Sequence, residues 1–290
     1  MSKKKKMTAI IILCVVEFAL AVGCFLTNGL VEKHESIKVA MRDAVLHEEN
    51  KISLFGLSVN PSLIAGFTVT GIILLFALIV RIFVIPRFSY VPGKFQILLE
   101  EWVGFFKNLG ETNSPHRNKF LGAYIFAAGT YIFIGTCFEL FGVEAITTNG
   151  TPISLPAPLA DINGAITMGC LSYLIILSGG IAQNKFRGVM LTLKEFSLPV
   201  SMSFRLFGAL LSGMLVTELI YFYVQLSIVL PVVVGVLFTL IHAIIQAYVL
   251  TMLVSMFYGE VTEPPKKKEK KQKKTNASEG DSPEDGAIAA

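Results

Sequence analysis

Between Leu198 and Gln246 the sequence is apolar for most of its length, yet it carries Ser201, Arg205, Glu218, His242 and Gln246. An arginine does not shed its proton inside a protein, so apolar surroundings cannot neutralise Arg205. Holding that charge at bilayer depth costs about 2.5–3.5 kcal/mol on insertion scales. A guanidinium placed there needs a carboxylate or several carbonyls. Glu218 and His242 add groups that take up and release protons in the same hydrophobic run. The chemistry this set suits is passage of a proton or small cation, not bond cleavage.

Spacing sorts these residues. At about 100° per residue, Ser201, Arg205, Gly208, Ala209 and Ser212 share one helix face. Small side chains let another helix come close, whether from this chain or a partner. The chain's own acids are poor counterparts for Arg205. Glu139 lies near the outer end of its span, and Asp161 sits at an outer helix start. An acid from another polypeptide is the economical answer.

Glu218 lies 13 positions after Arg205, about 140° away on the wheel, with Tyr221 and Gln225 continuing its face. A carboxyl there either relays ions or simply hydrogen-bonds a neighbouring helix. Thr239, His242 and Gln246 form a second stripe, in which a lone histidine also suits a satisfied core position. A hairpin turning near Leu230-Pro231 brings Glu218 level with His242. It leaves Arg205 and Gln246 out of register unless the helices tilt or bend.

The elements that must position these groups follow from composition. The chain has 290 residues, 53% hydrophobic and 16% charged, with mean hydropathy +0.64. An all-α polytopic membrane protein is expected, with about six spans including a long tilted C-terminal hairpin, plus one interfacial amphipathic helix. Residues 1–27 form an N-terminal membrane helix or a cleaved signal, with the retained helix favoured. Residues 28–60 read as an extracytoplasmic loop, 61–258 as the membrane domain, and 259–290 as a disordered lysine-rich cytoplasmic tail.

Pro61 to Ile85, Phe120 to Val143, Ile162 to Gln183 and the two arms of the hairpin are the other spans. Leu98, Leu99, Trp102, Val103 and Phe106 recur at helical spacing between Ile97 and Leu109, as an interfacial helix requires. Asp161 is a suitable N-cap for the span beginning at Ile162. Cys14, Cys24, Cys137 and Cys170 have no metal-ligand spacing and read as small apolar residues.

Lysine and arginine gather in segments that a six-span count puts on one side: Lys3 to Lys6, Arg81 to Lys119, Lys185 to Lys194 and the tail. The loop from Glu144 to Ala160 has none. Both termini are therefore expected in the cytoplasm if the first helix is retained. The tail's seven lysines between Lys266 and Lys274 suit a solvated anchor of topology or contact with anionic lipid.

Four motifs in order resemble subunit a of the F-type ATP synthase, over about residues 52 to 260. They are Val91-Pro92-Gly93-Lys94-Phe95-Gln96, Pro158-Leu159-Ala160-Asp161, Pro199-Val200-Ser201 through Arg205-Leu206-Phe207-Gly208, and Gln246-Ala247-Tyr248. The resemblance implies that Arg205 faces the rotating subunit c ring and meets its carboxylates one at a time. It implies two offset aqueous half-channels with Gln246 near the arginine, and Glu218, His242, Asp161 and Ser201 as further candidates along the path. Partners so implied are the c ring, the subunit b peripheral stalk, the other synthase subunits and the lipid bilayer. No nucleic acid, metal or cofactor is implied, and catalysis resides in a soluble head. The place implied is a bacterial cell membrane.

The chain departs from that family's pattern. Ala209 stands where an Asn commonly follows the Arg-Leu-Phe-Gly run. Met214 stands at a position that often holds Glu or His, and Thr239 at a usual acidic or histidine position. Glu218 and His242 each lie about one turn away and are candidates to substitute.

A self-contained secondary transporter, with Arg205 binding an anionic substrate, is the alternative of a different class. Such folds show two repeated halves with broken helices, and no internal repeat is visible. A scaffold without a pathway leaves Arg205, Glu218 and Gln246 without a role. The sequence contains no Walker-type Gly-Lys-Ser/Thr run and no HExxH.

Overall fold

A computed structural model describes residues 15–16, 18–19, 22–23, 52–54, 57–115, 118–146, 152–222 and 230–264. Among these, five helices are long and apolar enough to cross a membrane: Pro61–Arg87, Phe120–Phe141, Ile162–Asn184, Ser197–Thr217 and Val233–Thr262. The sixth expected span, Met7 to Thr27, lies mostly outside the described residues. The parts of it that are described are helical and exposed.

The chain from Ile52 opens with a two-stranded ribbon. β1 (Ile52–Leu54) pairs antiparallel with β2 (Leu57–Val59), Ile52 opposite Val59. A second ribbon, β3 (Glu144–Ile146) with β4 (Pro152–Ser154), sets Glu144 opposite Ser154. Both lie in stretches expected to be loops, where short hairpins satisfy backbone groups locally. The all-α class of the membrane part is unaffected.

α1 (Pro61–Ile79) starts on Asn60, whose side-chain oxygen accepts from the Ser62 N–H at 3.2 Å, with Pro61 in the first turn. It continues through a π-turn (Val80–Val84) and a 3-10 turn (Ile85–Arg87). Most of its surface is exposed apolar side chain; only Ala65 and Val69, with Phe138 and Leu155, form a small core. α2 (Lys94–Asn113) is the expected amphipathic helix. It buries Phe106 and Gly110 and exposes Glu100, Glu101 and Lys107.

α3 (Asn118–Phe138) ends in a 3-10 turn, Glu139–Phe141, closed by Gly142 at φ 53°. α4 (Ile162–Asn184) carries the Asp161 cap, and α6 (Ser197–Phe222) and α7 (Leu230–Thr262) form the long hairpin. The main core joins α2, α3, α4, α6 and α7 through Phe106, Ile125, Ile132, Ile176, Leu206 and Tyr258.

Polar stitches and glycines bring these helices close. The Trp102 indole N–H donates to Thr130 Oγ1 at 3.1 Å, and Tyr124 Oη lies 2.8 Å from Ser172 Oγ. A Cβ at Gly129 would collide with the Phe106 ring, and one at Gly169 with Ser203 Oγ and the Pro199 carbonyl. These close approaches are what small residues at helix crossings provide.

Three boundaries differ from expectation. The basic stretch after Lys185 contains a helix, α5 (Phe186–Lys194), folded back on α4. Gly188 meets Gly180 backbone to backbone, and the Tyr173 hydroxyl donates to the Thr192 carbonyl at 3.1 Å. Nine residues are too few for periodicity to distinguish such a helix from a polar connection.

α7 also runs past Gly259, so residues 259–262 belong to the membrane domain and not to the tail. Gly259 lies against the Asn113 carbonyl, and the Asn184 side-chain amide donates to the Val261 and Glu263 carbonyls at 2.7 and 2.9 Å. The tail from residue 265 lies outside the described residues.

Thirdly, Pro231 is not the turn. It is the second residue of α7, where its missing N–H costs nothing, and the reversal falls in residues 223–229.

Candidate functional site

The register of the hairpin decides what Arg205 meets. α6 and α7 run antiparallel, and a Cβ added at Gly213 would lie 3.4 Å from the Phe238 ring. Arg205 stands eight residues before Gly213, and Gln246 eight residues after Phe238. Equal rise along both helices therefore sets Arg205 level with Gln246, about 12 Å inward of that contact. No special tilt or bend is needed, contrary to the expectation built on a turn at Pro231.

The same register separates Glu218 from His242. Glu218 stands five residues after Gly213, level with Val233, and His242 is nine residues further along α7, about 13 Å away. The pairing expected from sequence fails because the reversal lies several residues earlier than Pro231.

The predicted face of α6 looks outward. Ser201, Arg205, Gly208 and Ser212 are exposed and Ala209 is half-buried, while Met202, Ser203, Leu206 and Leu210 on the opposite side are buried. Packing of this strip inside the chain is thereby excluded among the described residues. Nothing lies within 4 Å of a Cβ added at Gly208. Ser212 donates to its own Ala209 carbonyl at 2.8 Å. Among the described residues Arg205 has no hydrogen bond or ion pair, so its counter-charge does not come from them.

Gln246 faces the other way. It is 7% exposed, and its Oε1 accepts no hydrogen bond among the described residues. Thr136 Oγ1, on α3, is the other buried polar atom without a partner there. Sequence reading passed over Thr136; its signal was a hydroxyl three residues before Glu139 in an apolar span. His242 is half-buried, its Nδ1 2.8 Å from the Phe238 carbonyl and its ring 4.2 Å from the Phe238 ring. A carbonyl only accepts, so Nδ1 carries the proton and Nε2 is the nitrogen left for other partners.

Asp161 is engaged elsewhere. Its carboxylate accepts from the Asn163 backbone N–H at 3.1 Å and side-chain amide at 3.3 Å, the expected cap. It borders an outer cleft of about 350 Å³, with Ser62, Thr70, Tyr131, Asn163 and Thr167, and is not brought to Arg205. Glu218 lies on the last turns of α6. No group of three or more metal-ligating side chains occurs among the described residues.

The outward arginine, in a bundle of five membrane helices, is the geometry against which sequence comparison is weighed. A sequence model of the family described as ATP synthase A chain matches residues 64–259, about two thirds of the chain. The chain belongs to the ATP synthase A chain family. Curated relatives agree. An ATP synthase subunit a of Acidothermus cellulolyticus is 27% identical over 221 residues, covering 71% of this chain and 76% of that one. An ATP synthase subunit a of Cereibacter sphaeroides is 24% identical over 152 residues, covering 50% of this chain and 58% of that one. The chain thus spans little more than half the length of the latter. As a member of the A chain family it is a multi-pass membrane protein of the synthase's membrane sector.

Proposed function

We infer that this chain is the stator half of a rotary ion pathway in a bacterial cell membrane. Arg205 faces a ring of ion-binding carboxylates contributed by another subunit and separates two aqueous half-channels. The supporting observation is that Arg205 is exposed on an outward strip of small residues, without an ion partner among the described residues, and level with Gln246.

The chemistry follows from charge. A permanent cation next to an approaching carboxylate favours its ionised form, so the carboxylate releases its ion as it passes. Exposed Ser201, Gly208 and Ser212 leave room for a ring helix to come near. A fixed positive charge between the half-channels opposes direct crossing by a cation, so the ion travels on the ring. Glu218 on α6 and His242 on α7 are the candidate groups of the outer half-channel. Asp161 and Ser201 belong at its margins. The chain itself performs no catalysis, and its partners are the c ring, the subunit b stalk, the rest of the synthase and the surrounding lipid.

The test is ATP-driven ion uptake by inverted vesicles carrying the assembled synthase. Arg205→Ala and Arg205→Lys should each lower uptake to background while the complex still assembles. The lysine variant fails because a compact ammonium on a flexible stem does not replace a rigid guanidinium fork. Normal uptake by Arg205→Ala would remove the arginine from the mechanism.

A further inference from the structure

Glu139 is a carboxylate within a span that the reading so far leaves without a role. It opens the 3-10 turn at the end of α3, is half-buried, and among the described residues its side chain has no hydrogen bond or ion pair. A carboxylate near hydrocarbon without a partner is costly and marks an ion path more often than a structural joint.

Its place relative to α7 is set by two independent contacts. A Cβ added at Gly129 of α3 would lie 3.0 Å from the Thr251 methyl of α7. Four residues along α3, Phe133 lines one apolar crevice with Ile244 and Ala247 of α7. Both give the same antiparallel register. It sets Thr136 level with Ile244, and Glu139 level with Ile241, beside His242. The turn 139–141 itself lies against α7, so the two helices have not diverged there.

Thr136 and Glu139, three residues apart, share one face of α3. Thr136 is 1% exposed and its hydroxyl has no partner among the described residues. Measured along α7, the polar groups then descend in order: Glu218 level with Val233, Glu139 with Ile241, Thr136 with Ile244, and Gln246 with Arg205. The last three steps together cover about 8 Å. The buried atoms without partners, Thr136 Oγ1 and Gln246 Oε1, lie at neighbouring levels at the inner end of this series.

We propose that the Glu139–Thr136 face of α3 is the wall along which the ion descends from the outer side to Gln246 and Arg205, with Glu139 as the ion-accepting carboxylate nearest the arginine. It deepens the reading of a half-channel and rests on it. No bond is made or broken: Glu139 takes up one proton or cation from the outer side and passes it inward.

The test uses the assembled synthase in inverted vesicles. Glu139→Gln should lower ATP-driven uptake by about a hundredfold, the scale of losing a proton-transferring group, while Glu139→Asp keeps most of it. A structural role would instead show as loss of the complex from the membrane with both variants. The second arm replaces the four cysteines by serine and introduces Glu139→Cys and Thr136→Cys singly. Silver ion added at the outer face should then react at both positions.

Normal uptake by Glu139→Gln, or no reaction at either cysteine from outside, overturns the proposal. If Glu139→Gln does not assemble, the cysteine arm alone decides. Arg205→Ala separates the two readings. Blocked uptake there beside normal uptake in Glu139→Gln sinks only this proposal, and normal uptake in Arg205→Ala sinks the half-channel reading with it.

Discussion

At the residue scale, three polar groups in the apolar bundle differ in what they demand. Arg205 cannot change its charge, so its surroundings must, and its exposure on α6 delivers it to a partner's acid. His242 is already partly satisfied by the Phe238 carbonyl and stacks on that ring, which makes it the least costly of the three to hold in place. Gln246 keeps a buried acceptor unpaired among the described residues, a burden of about 1–3 kcal/mol. Gln246→Leu should therefore leave the thermal stability of the detergent-solubilised complex unchanged or raise it. The same variant should slow ATP-driven uptake about tenfold or more. A lower melting temperature with normal uptake would make Gln246 structural.

At the element scale, close helix crossings hold the site, and glycines make them possible. Gly259 sits on the Asn113 carbonyl where α7 passes the end of α2. A methyl group there meets backbone and not a flexible side chain, so Gly259→Ala should destabilise by about 2–3 kcal/mol and reduce the complex recovered from membranes. Lys185 links α4 to α5 at φ 49°, a conformation that disfavours side chains. Lys185→Gly should raise the melting temperature, with a gain of about 1 kcal/mol. The α5 fold-back was not legible beforehand, because its nine residues read as a basic connection. The spans were legible, because each is long and apolar by itself.

At the scale of the whole molecule, charge asymmetry predicts orientation. The loop from Glu144 to Ala160 has no lysine or arginine, and the tail has seven lysines between Lys266 and Lys274. In a chain whose own cysteines are replaced, Asn149→Cys should react with an impermeant thiol reagent on intact cells. Ser282→Cys should react only after permeabilisation, and the opposite pattern would invert the topology. Sequence alone determined the membrane class, the positions of the spans and the depth of the arginine, since hydropathy and charge add up over local windows. The Asp161 cap was equally legible, being a matter of two residues. Register was not. Which residues stand level depends on where the chain reverses, each residue of error moves a group about 1.5 Å along the axis, and Pro231 fits a turn and a helix start equally well. Only packing, through Gly213 on Phe238 and Gly129 on Thr251, brought Gln246 level with Arg205 and set Glu139 beside the level of His242.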